Sequence, residues 1–162
     1  FTFNNALFVG YGTYKFGSVQ TPAYQSAAEL SNQFAFAKRY KKVMGSVLYS
    51  AKDLTENPVN ILAAIKEAYK LPAVLPYLGK YTATLPATPT NVRANGKTLQ
   101  WNGAEGAYYA VYRSNGVGKE AVTVAVTRQQ EVALADAGTY FVTAVSKKDN
   151  AESKPSAMVE VR

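Results

Sequence analysis

Tyrosine, lysine and serine residues form two short clusters whose side chains could bind a sugar. Each cluster follows an apolar run, residues 6–9 in the first case and residues 43–48 in the second. Tyrosine rings can stack on the apolar faces of sugar rings, and lysine and serine side chains hydrogen-bond to hydroxyl groups. The alternative is that Tyr11 and Tyr49 are buried aromatic residues that serve only packing. The candidate substrate-binding residues are therefore Tyr11, Tyr14, Lys15, Tyr49, Ser50 and Lys52.

Carboxylates that could perform acid–base chemistry are few in the first half of the chain. Hydrolysis of a glycoside requires two carboxyl groups that flank the scissile bond. Residues 1–83 contain only Glu29, Asp53, Glu56 and Glu67, and two of these fall in predicted helices. Asp53 is a weak catalytic candidate, because an acid at the start of a helix usually caps that helix or complements its dipole. The sequence therefore predicts that this chain alone does not hydrolyse glycosides.

Composition excludes several other kinds of site. Histidine and cysteine are both absent, which removes Ser-His and Cys-His nucleophiles, disulfides and most zinc sites. Gly10, Gly12 and Gly17 lack the spacing of a dinucleotide-binding loop. No run approaches the roughly 18 apolar residues of a membrane-spanning helix. We expect no metal, no cofactor and no membrane span.

Positive charge is concentrated in one short stretch. The formal net charge is +7, and residues 38–42 read Lys-Arg-Tyr-Lys-Lys. A nucleic-acid-binding patch is one interpretation of such a stretch. The favoured interpretation is a cationic last turn of a helix, which is stabilised by the negative end of the helix dipole. No nucleic-acid partner is therefore expected.

The first part of the chain is predicted to have the element order β-α-β-α. The dipeptides Thr21-Pro22 and Asn57-Pro58 combine a capping residue with a proline at the first helical position. Apolar strands joined by a helix indicate a parallel sheet covered by helices. Two such units cannot close a sheet, and their strand edges would stay unpaired. This α/β segment is therefore predicted to be the C-terminal end of a larger domain, most simply a TIM-type (β/α)8 barrel.

Residues 84–162 are predicted to form a separate all-β domain, which gives domains of 1–83 and 84–162. A stretch rich in threonine and proline, residues 81–90, precedes it and resists helix formation. Apolar residues then alternate with polar ones, so each strand has one buried face. The pattern predicts a sandwich of seven antiparallel strands with Trp101, Tyr109, Val111 and Tyr140 in its core.

Residues 3–79 carry several markers of a known family in the same order and spacing. The markers are Gly10-Tyr11-Gly12-Thr13-Tyr14, Gly45, Tyr49-Ser50-Ala51-Lys52 and Leu71-Pro72-Ala73. In these features the stretch resembles the C-terminal end of a glycosyl-hydrolase-like family related to glycoside hydrolase family 10, found in bacterial envelopes and common in Bacteroidetes. The resemblance implies the last two strands and helices of an incomplete barrel.

Residues 84–162 resemble a fibronectin type III domain. Leu99 and Trp101 match its second strand, and Tyr140 matches the strand that is entered through a tyrosine corner. Residues 152–156, Glu-Ser-Lys-Pro-Ser, match the turn before the last strand. The resemblance implies an immunoglobulin-like sandwich that acts as an accessory or interaction module.

The two resemblances together imply a function. The chain is expected to be the C-terminal fragment of a carbohydrate-active envelope protein, periplasmic or extracellular, whose partner is a polysaccharide or oligosaccharide. The fragment itself is expected to be non-catalytic, and whether the parent is an enzyme stays open. The alternative is a non-enzymatic surface protein that binds glycan or protein on a pseudo-catalytic scaffold.

Unpaired strand edges in the first part also predict self-association. Open edges and uncovered apolar faces favour pairing with another copy. We expect a homo-oligomer whose contacts run through residues 3–79. The residues predicted at or near that interface are Phe3, Leu7, Val9, Phe34, Val47 and Tyr49.

Overall fold

The structure, a computed structural model, describes residues 6–18, 20–77 and 84–162. The chain divides by its contacts into two compact units, Phe1–Lys70 and Leu71–Arg162. The boundary predicted after residue 83 lies beside residues 78–83, which are outside the described residues, and it stays a prediction.

The described residues of the first unit form two strands that pair in parallel and three short α-helices. Leu7 to Gly12 pair in register with Val43 to Tyr49 along most of their length. In chain order the elements are β1 (Leu7–Gly12), α1 (Ala28–Ala37), β2 (Val43–Tyr49), α2 (Ala51–Glu56) and α3 (Ile61–Ala68).

Both predicted helix starts differ from the structure. Thr21-Pro22 begins a 3-10 turn, Pro22–Gln25, and extended backbone at Ser26 separates that turn from α1. Pro58–Asn60 is likewise a 3-10 turn, and α3 begins directly after it. A proline next to a capping residue therefore fixes the first turn here, whereas the α-helix begins several residues later. The cationic stretch starts at the C-cap residue of α1, Lys38, and not within its last turn.

Helices α1 and α3 cover one face of the two-stranded sheet. Leu30, Phe34 and Ile61 are buried against Tyr11. The ring of Tyr11 packs edge-on against Phe34 with a centroid distance of 4.8 Å. No described residue covers the opposite face, and its exposed apolar side chains are Phe8, Val47 and Tyr49.

The predicted fold class, with an α/β segment of a TIM-type barrel as its first part, is wrong. Strands take 35% and helices 23% of the described chain, and the helical parts are small. A barrel strand is hydrogen-bonded on both sides, whereas β1 and β2, among the described residues, pair only with each other. The apolar runs predict strands that are buried on both faces of the sheet. Val47 is nevertheless 54% exposed, so an apolar run does not by itself show that both faces are covered.

The described residues of the second unit form two antiparallel sheets of three and four strands. The order is β3-β4-β7 in one sheet and β6-β5-β8-β9 in the other. Period-two alternation turns one face of each sheet towards the other. The strands are β3 (Thr90–Asn95), β4 (Thr98–Asn102), β5 (Ala107–Arg113), β6 (Val122–Thr127), β7 (Glu131–Ala133), β8 (Gly138–Ser146) and β9 (Val159–Val161).

The core predicted for this sandwich is confirmed. Trp101, Tyr109, Val111 and Tyr140 are all buried in one cluster. Trp101 and Tyr109 meet edge-on with their ring centroids 5.5 Å apart. A Cβ atom on Gly103 would lie 1.9 Å from the hydroxyl of Tyr109, so the chain needs glycine at this close approach.

Candidate functional site

The ends of β1 and β2 bring the predicted site residues to one edge of the first unit. Carboxyl ends of parallel strands lie at the same edge of a sheet. A 3-10 turn, Thr13–Lys15, follows β1, and Ser50 and α2 follow β2. The peptide bond between Tyr49 and Ser50 is cis.

Asp53 holds these two strand ends together. Its Oδ2 accepts hydrogen bonds from the backbone N–H of Ser50 at 2.7 Å, from the Ser50 hydroxyl at 3.0 Å and from the Thr13 hydroxyl at 3.2 Å. Ser50 and Asp53 form a capping box at the start of α2. The carboxylate therefore has a structural task that links two segments of the chain.

The electrostatics of Asp53 also oppose a role as a general acid. The backbone N–H of Ser50 is the main cause that holds the pKa of Asp53 below its usual value, and burial opposes this shift only in part. A general acid needs a pKa that is raised towards the working pH. Asp53 is instead ionised at neutral pH and serves as a hydrogen-bond acceptor.

Tyr14 and Tyr49 form an exposed aromatic pair at this edge. Their ring centroids are 6.0 Å apart and their planes are nearly perpendicular. The exposed fractions of the two residues are 49% and 68%. The Nζ of Lys15 lies 6.0 Å from the ring centroid of Tyr14 and 5.6 Å from that of Tyr24. We call Tyr14 and Tyr49 the strand-end tyrosine pair.

The remaining candidates have other surroundings. Tyr11 is buried, its pKa is raised by that burial, and its side chain hydrogen-bonds with Ser46 inside the unit. Lys52 lies on the exposed side of α2, where it pairs with Glu56 at 3.5 Å. The structure therefore brings Tyr14, Lys15, Tyr49 and Ser50 together, and it places Tyr11 in the core.

Thr13 is the residue of this site that the sequence did not single out. It is fully buried, and its hydroxyl donates to Asp53 across 40 positions of the chain. No local sequence pattern predicts a contact between residues so far apart in the chain. The pattern Ser50-x-x-Asp53, in contrast, is a capping-box signature that could have predicted the start of α2.

Two further properties bear on the kind of site. Within residues 6–18, 20–77 and 84–162, no three His, Cys, Asp or Glu side chains come together where they could hold a metal ion. In the same residues, no helix has both the length and the apolar character that are needed to cross a membrane.

The second unit is a β-sandwich with the features of a fibronectin type III-like domain. Its sheets have three and four antiparallel strands. The hydroxyl of Tyr140 donates to the backbone carbonyl of Asp136 at 2.8 Å, which is the hydrogen bond of a tyrosine corner.

Comparison with known proteins finds similarity to a glycosyl hydrolase across both units. The glycosyl hydrolase YngK of Bacillus subtilis (strain 168) is 29% identical to this chain over 170 residues, which cover 93% of the chain and 33% of the relative. The chain thus spans about a third of the length of the curated relative that it matches. A search of family models found no match.

Three solved structures are similar to about half of the chain. An Fn3-like protein from Clostridium thermocellum is 32% identical, with 49% of this chain and 94% of that chain covered at a TM-score of 0.38. The fibronectin type-III domain of human fibronectin type III domain containing protein 3 is 20% identical, with 51% and 89% covered at 0.38. The beta-1,2-glucanase from Parabacteroides distasonis is 24% identical, with 49% and 13% covered at 0.35.

Proposed function

We propose that this chain is a carbohydrate-binding, non-catalytic part of a glycoside-hydrolase-like protein of the bacterial cell envelope. The observation that carries the proposal is the strand-end tyrosine pair, two exposed rings that meet at the edge where both parallel strands end. The similarity to a protein described as a glycosyl hydrolase supports carbohydrate as the ligand class. The relationship to glycoside hydrolase family 10 and to Bacteroidetes proteins belongs to the same proposal.

The geometry of the tyrosine pair suits the face and the rim of one sugar ring. Perpendicular rings offer one face for stacking and one edge beside it. Lys15 places an ammonium group next to Tyr14, where it can donate to sugar hydroxyls. A sugar that covers about 50 Å² of apolar ring surface gains about 1.3 kcal/mol, which corresponds to roughly tenfold in Kd.

Binding of neutral oligosaccharides to the purified chain tests this proposal. We expect Tyr14→Ala and Tyr49→Ala each to weaken binding about tenfold, in line with the apolar area that is lost. Tyr40→Ala is the matched control, because Tyr40 is 48% exposed and also forms an edge-on ring pair, with Phe36, in the same unit. Unchanged binding by Tyr14→Ala and Tyr49→Ala, or an equal loss with Tyr40→Ala, would contradict the proposal. Glycoside turnover that Asp53→Asn abolishes would contradict its non-catalytic part.

A homo-oligomer formed through residues 3–79 is the second part of the proposal. The open face of the β1–β2 sheet exposes Phe8 and Val47. An apolar hollow of about 900 Å³ lies beside β1 and α1, and Leu7 and Val9 contribute to its wall. Of the other residues predicted at the interface, Phe34 is buried inside the unit, and Phe3 lies outside the described residues.

We propose that a second copy of this chain covers the apolar surface of the first unit. The outer edges of β1 and β2, which are unpaired among the described residues, can pair with those of a second copy, and Phe8 and Val47 then leave water. We expect sedimentation at micromolar concentration to show a dimer or larger species, and Val47→Lys to reduce it to the monomer. Val117→Lys is the control, because Val117 is fully exposed in the second unit. A monomeric wild-type chain would contradict self-association.

A further inference from the structure

A second cavity lies at one end of the four-stranded sheet, within the unit Leu71–Arg162. Its volume is about 480 Å³, which falls in the range of small-molecule sites. Strand β5 lies between β6 and β8, so the residues after β6 and after β8 meet beside β5. We call it the sheet-end cavity, and its lining includes Leu75, Tyr108, Arg128, Lys147 and Asn150.

Tyr108 supplies an aromatic wall that is fixed in place. It alternates with the buried Tyr109, so its ring stands on the outer face of the sheet. Its hydroxyl donates to Oδ1 of Asn150 at 3.2 Å. Burial is the main cause that raises the pKa of Tyr108, and a hydrogen bond with the backbone of Leu75 opposes that rise. A ring held on two sides loses little freedom when a ligand stacks on it.

Two cations stand at this cavity without an acidic partner. Arg128 follows β6 and Lys147 follows β8, and among the described residues neither forms an ion pair. The nearby carboxylate of Asp149 accepts from the backbone N–H of Ala151. Both cations are therefore available to an anionic group of a ligand.

Glu152 is the other acid close to Tyr108, and it is engaged elsewhere. Its Oε1 accepts from the hydroxyls of Tyr112 and Thr143, each at 2.6 Å. Its charge contributes to the raised pKa of Tyr108. Among the described residues, Glu152 forms no ion pair with Arg128 or Lys147.

We propose that the sheet-end cavity binds an acidic saccharide, a sugar unit that bears a carboxylate such as a uronate. The sugar ring would stack on Tyr108, its carboxylate would lie between Arg128 and Lys147, and a hydroxyl would bond to the amide of Asn150. The cavity combines an aromatic ring, an amide and two cations. These groups match the ring, the hydroxyl groups and the carboxylate of an acidic sugar, respectively. This site lies in a different unit from the strand-end tyrosine pair and does not depend on it.

Binding of a galacturonate oligosaccharide and of its uncharged methyl ester to the intact chain tests this inference. We expect the acid to bind at least about tenfold more tightly than the ester, because a charge-assisted contact is lost in the ester. Lys147→Gln and Arg128→Gln should each remove about tenfold of the affinity for the acid, and Tyr108→Ala should remove at least as much. Tyr108→Phe should retain most of the affinity, because the ring remains.

Lys119→Gln is the matched control, since it removes one exposed charge from a loop of the same unit. It should leave binding of the acid unchanged, and so should Tyr14→Ala. Equal binding of acid and ester, or an equal loss with Lys119→Gln, would overturn the inference. Loss of acid binding with Tyr14→Ala would also overturn it, because the acid would then occupy the strand-end site. Failure of the neutral-sugar experiment alone would leave this inference standing.

Discussion

The two units of this chain use apolar strands in opposite ways. In the sandwich, Val111 and Val142 lie on neighbouring strands and are fully buried between two sheets. In the first unit, Val47 lies on an equally apolar strand and is 54% exposed, on a sheet face that no described residue covers. An apolar run therefore indicates a strand, but only the pattern of its neighbours indicates whether both of its faces are buried.

The largest effect that this comparison predicts is the loss of a side chain from the closed sandwich core. Leu99 is fully buried, and Leu99→Ala should lower the free energy of unfolding of the sandwich by about 3 kcal/mol, through lost transfer energy and a residual cavity. The chain contains one tryptophan, Trp101, inside the same core, so its fluorescence follows this unit during denaturation by urea. Leu85→Ala is the control, because Leu85 is half exposed. Equal midpoints for the two variants would show that the sandwich core is looser than the structure indicates.

The tyrosine corner should give a smaller effect in the same unit. Tyr140→Phe keeps the buried ring but removes the hydroxyl that donates to the carbonyl of Asp136. We expect a loss of about 1 kcal/mol, the usual net contribution of one such hydrogen bond. Tyr40→Phe, in the first unit, should leave the Trp101 transition unchanged. If both variants shift that transition equally, the two units do not unfold as separate cores.

The same contrast explains how much of the fold followed from the sequence. Period-two alternation is a local signal, and it located Trp101, Tyr109, Val111 and Tyr140 in the sandwich core correctly. The prediction of an α/β barrel segment was wrong because the apolar run of β2 carries no information about what lies on the second face of that strand. The start of α1 was misplaced because the proline signal at Pro22 marks a 3-10 turn.

The candidate site was predictable only in part, for a related reason. Tyr14 and Tyr49 could be paired from the sequence, because the ends of parallel strands share an edge. The neighbouring candidate Tyr11 lies on the covered face of β1 and is buried against Phe34. The contact between Thr13 and Asp53 joins two segments 40 positions apart, so it requires the tertiary structure.

The smallest expected effect concerns that long-range contact and its dependence on pH. The pKa of Asp53 is lowered in the folded chain, first by the backbone N–H of Ser50. A carboxyl whose folded pKa lies below its unfolded value of about 3.9 stabilises the fold above that value, and the contribution disappears as the pH falls through the folded pKa. Asp53→Asn should therefore destabilise the first unit at pH 7, only modestly because the amide oxygen can still accept hydrogen bonds. The difference from the wild type should shrink below about pH 4.

Helical circular dichroism measures this effect selectively, because all the α-helices of the described residues lie in the first unit. Asp149→Asn is the matched control, since Asp149 also has a lowered pKa, caused first by the side chain of Ser146, but lies in the sandwich. It should leave the thermal transition of the helical signal unchanged at every pH. A destabilisation by Asp53→Asn that persists in full at pH 2 would mean that its packing, and not its charge, joins the ends of β1 and β2. The geometry of the strand-end tyrosine pair would then not depend on the ionisation of Asp53. Neutral-sugar binding should in that case persist at every acidic pH at which the first unit stays folded.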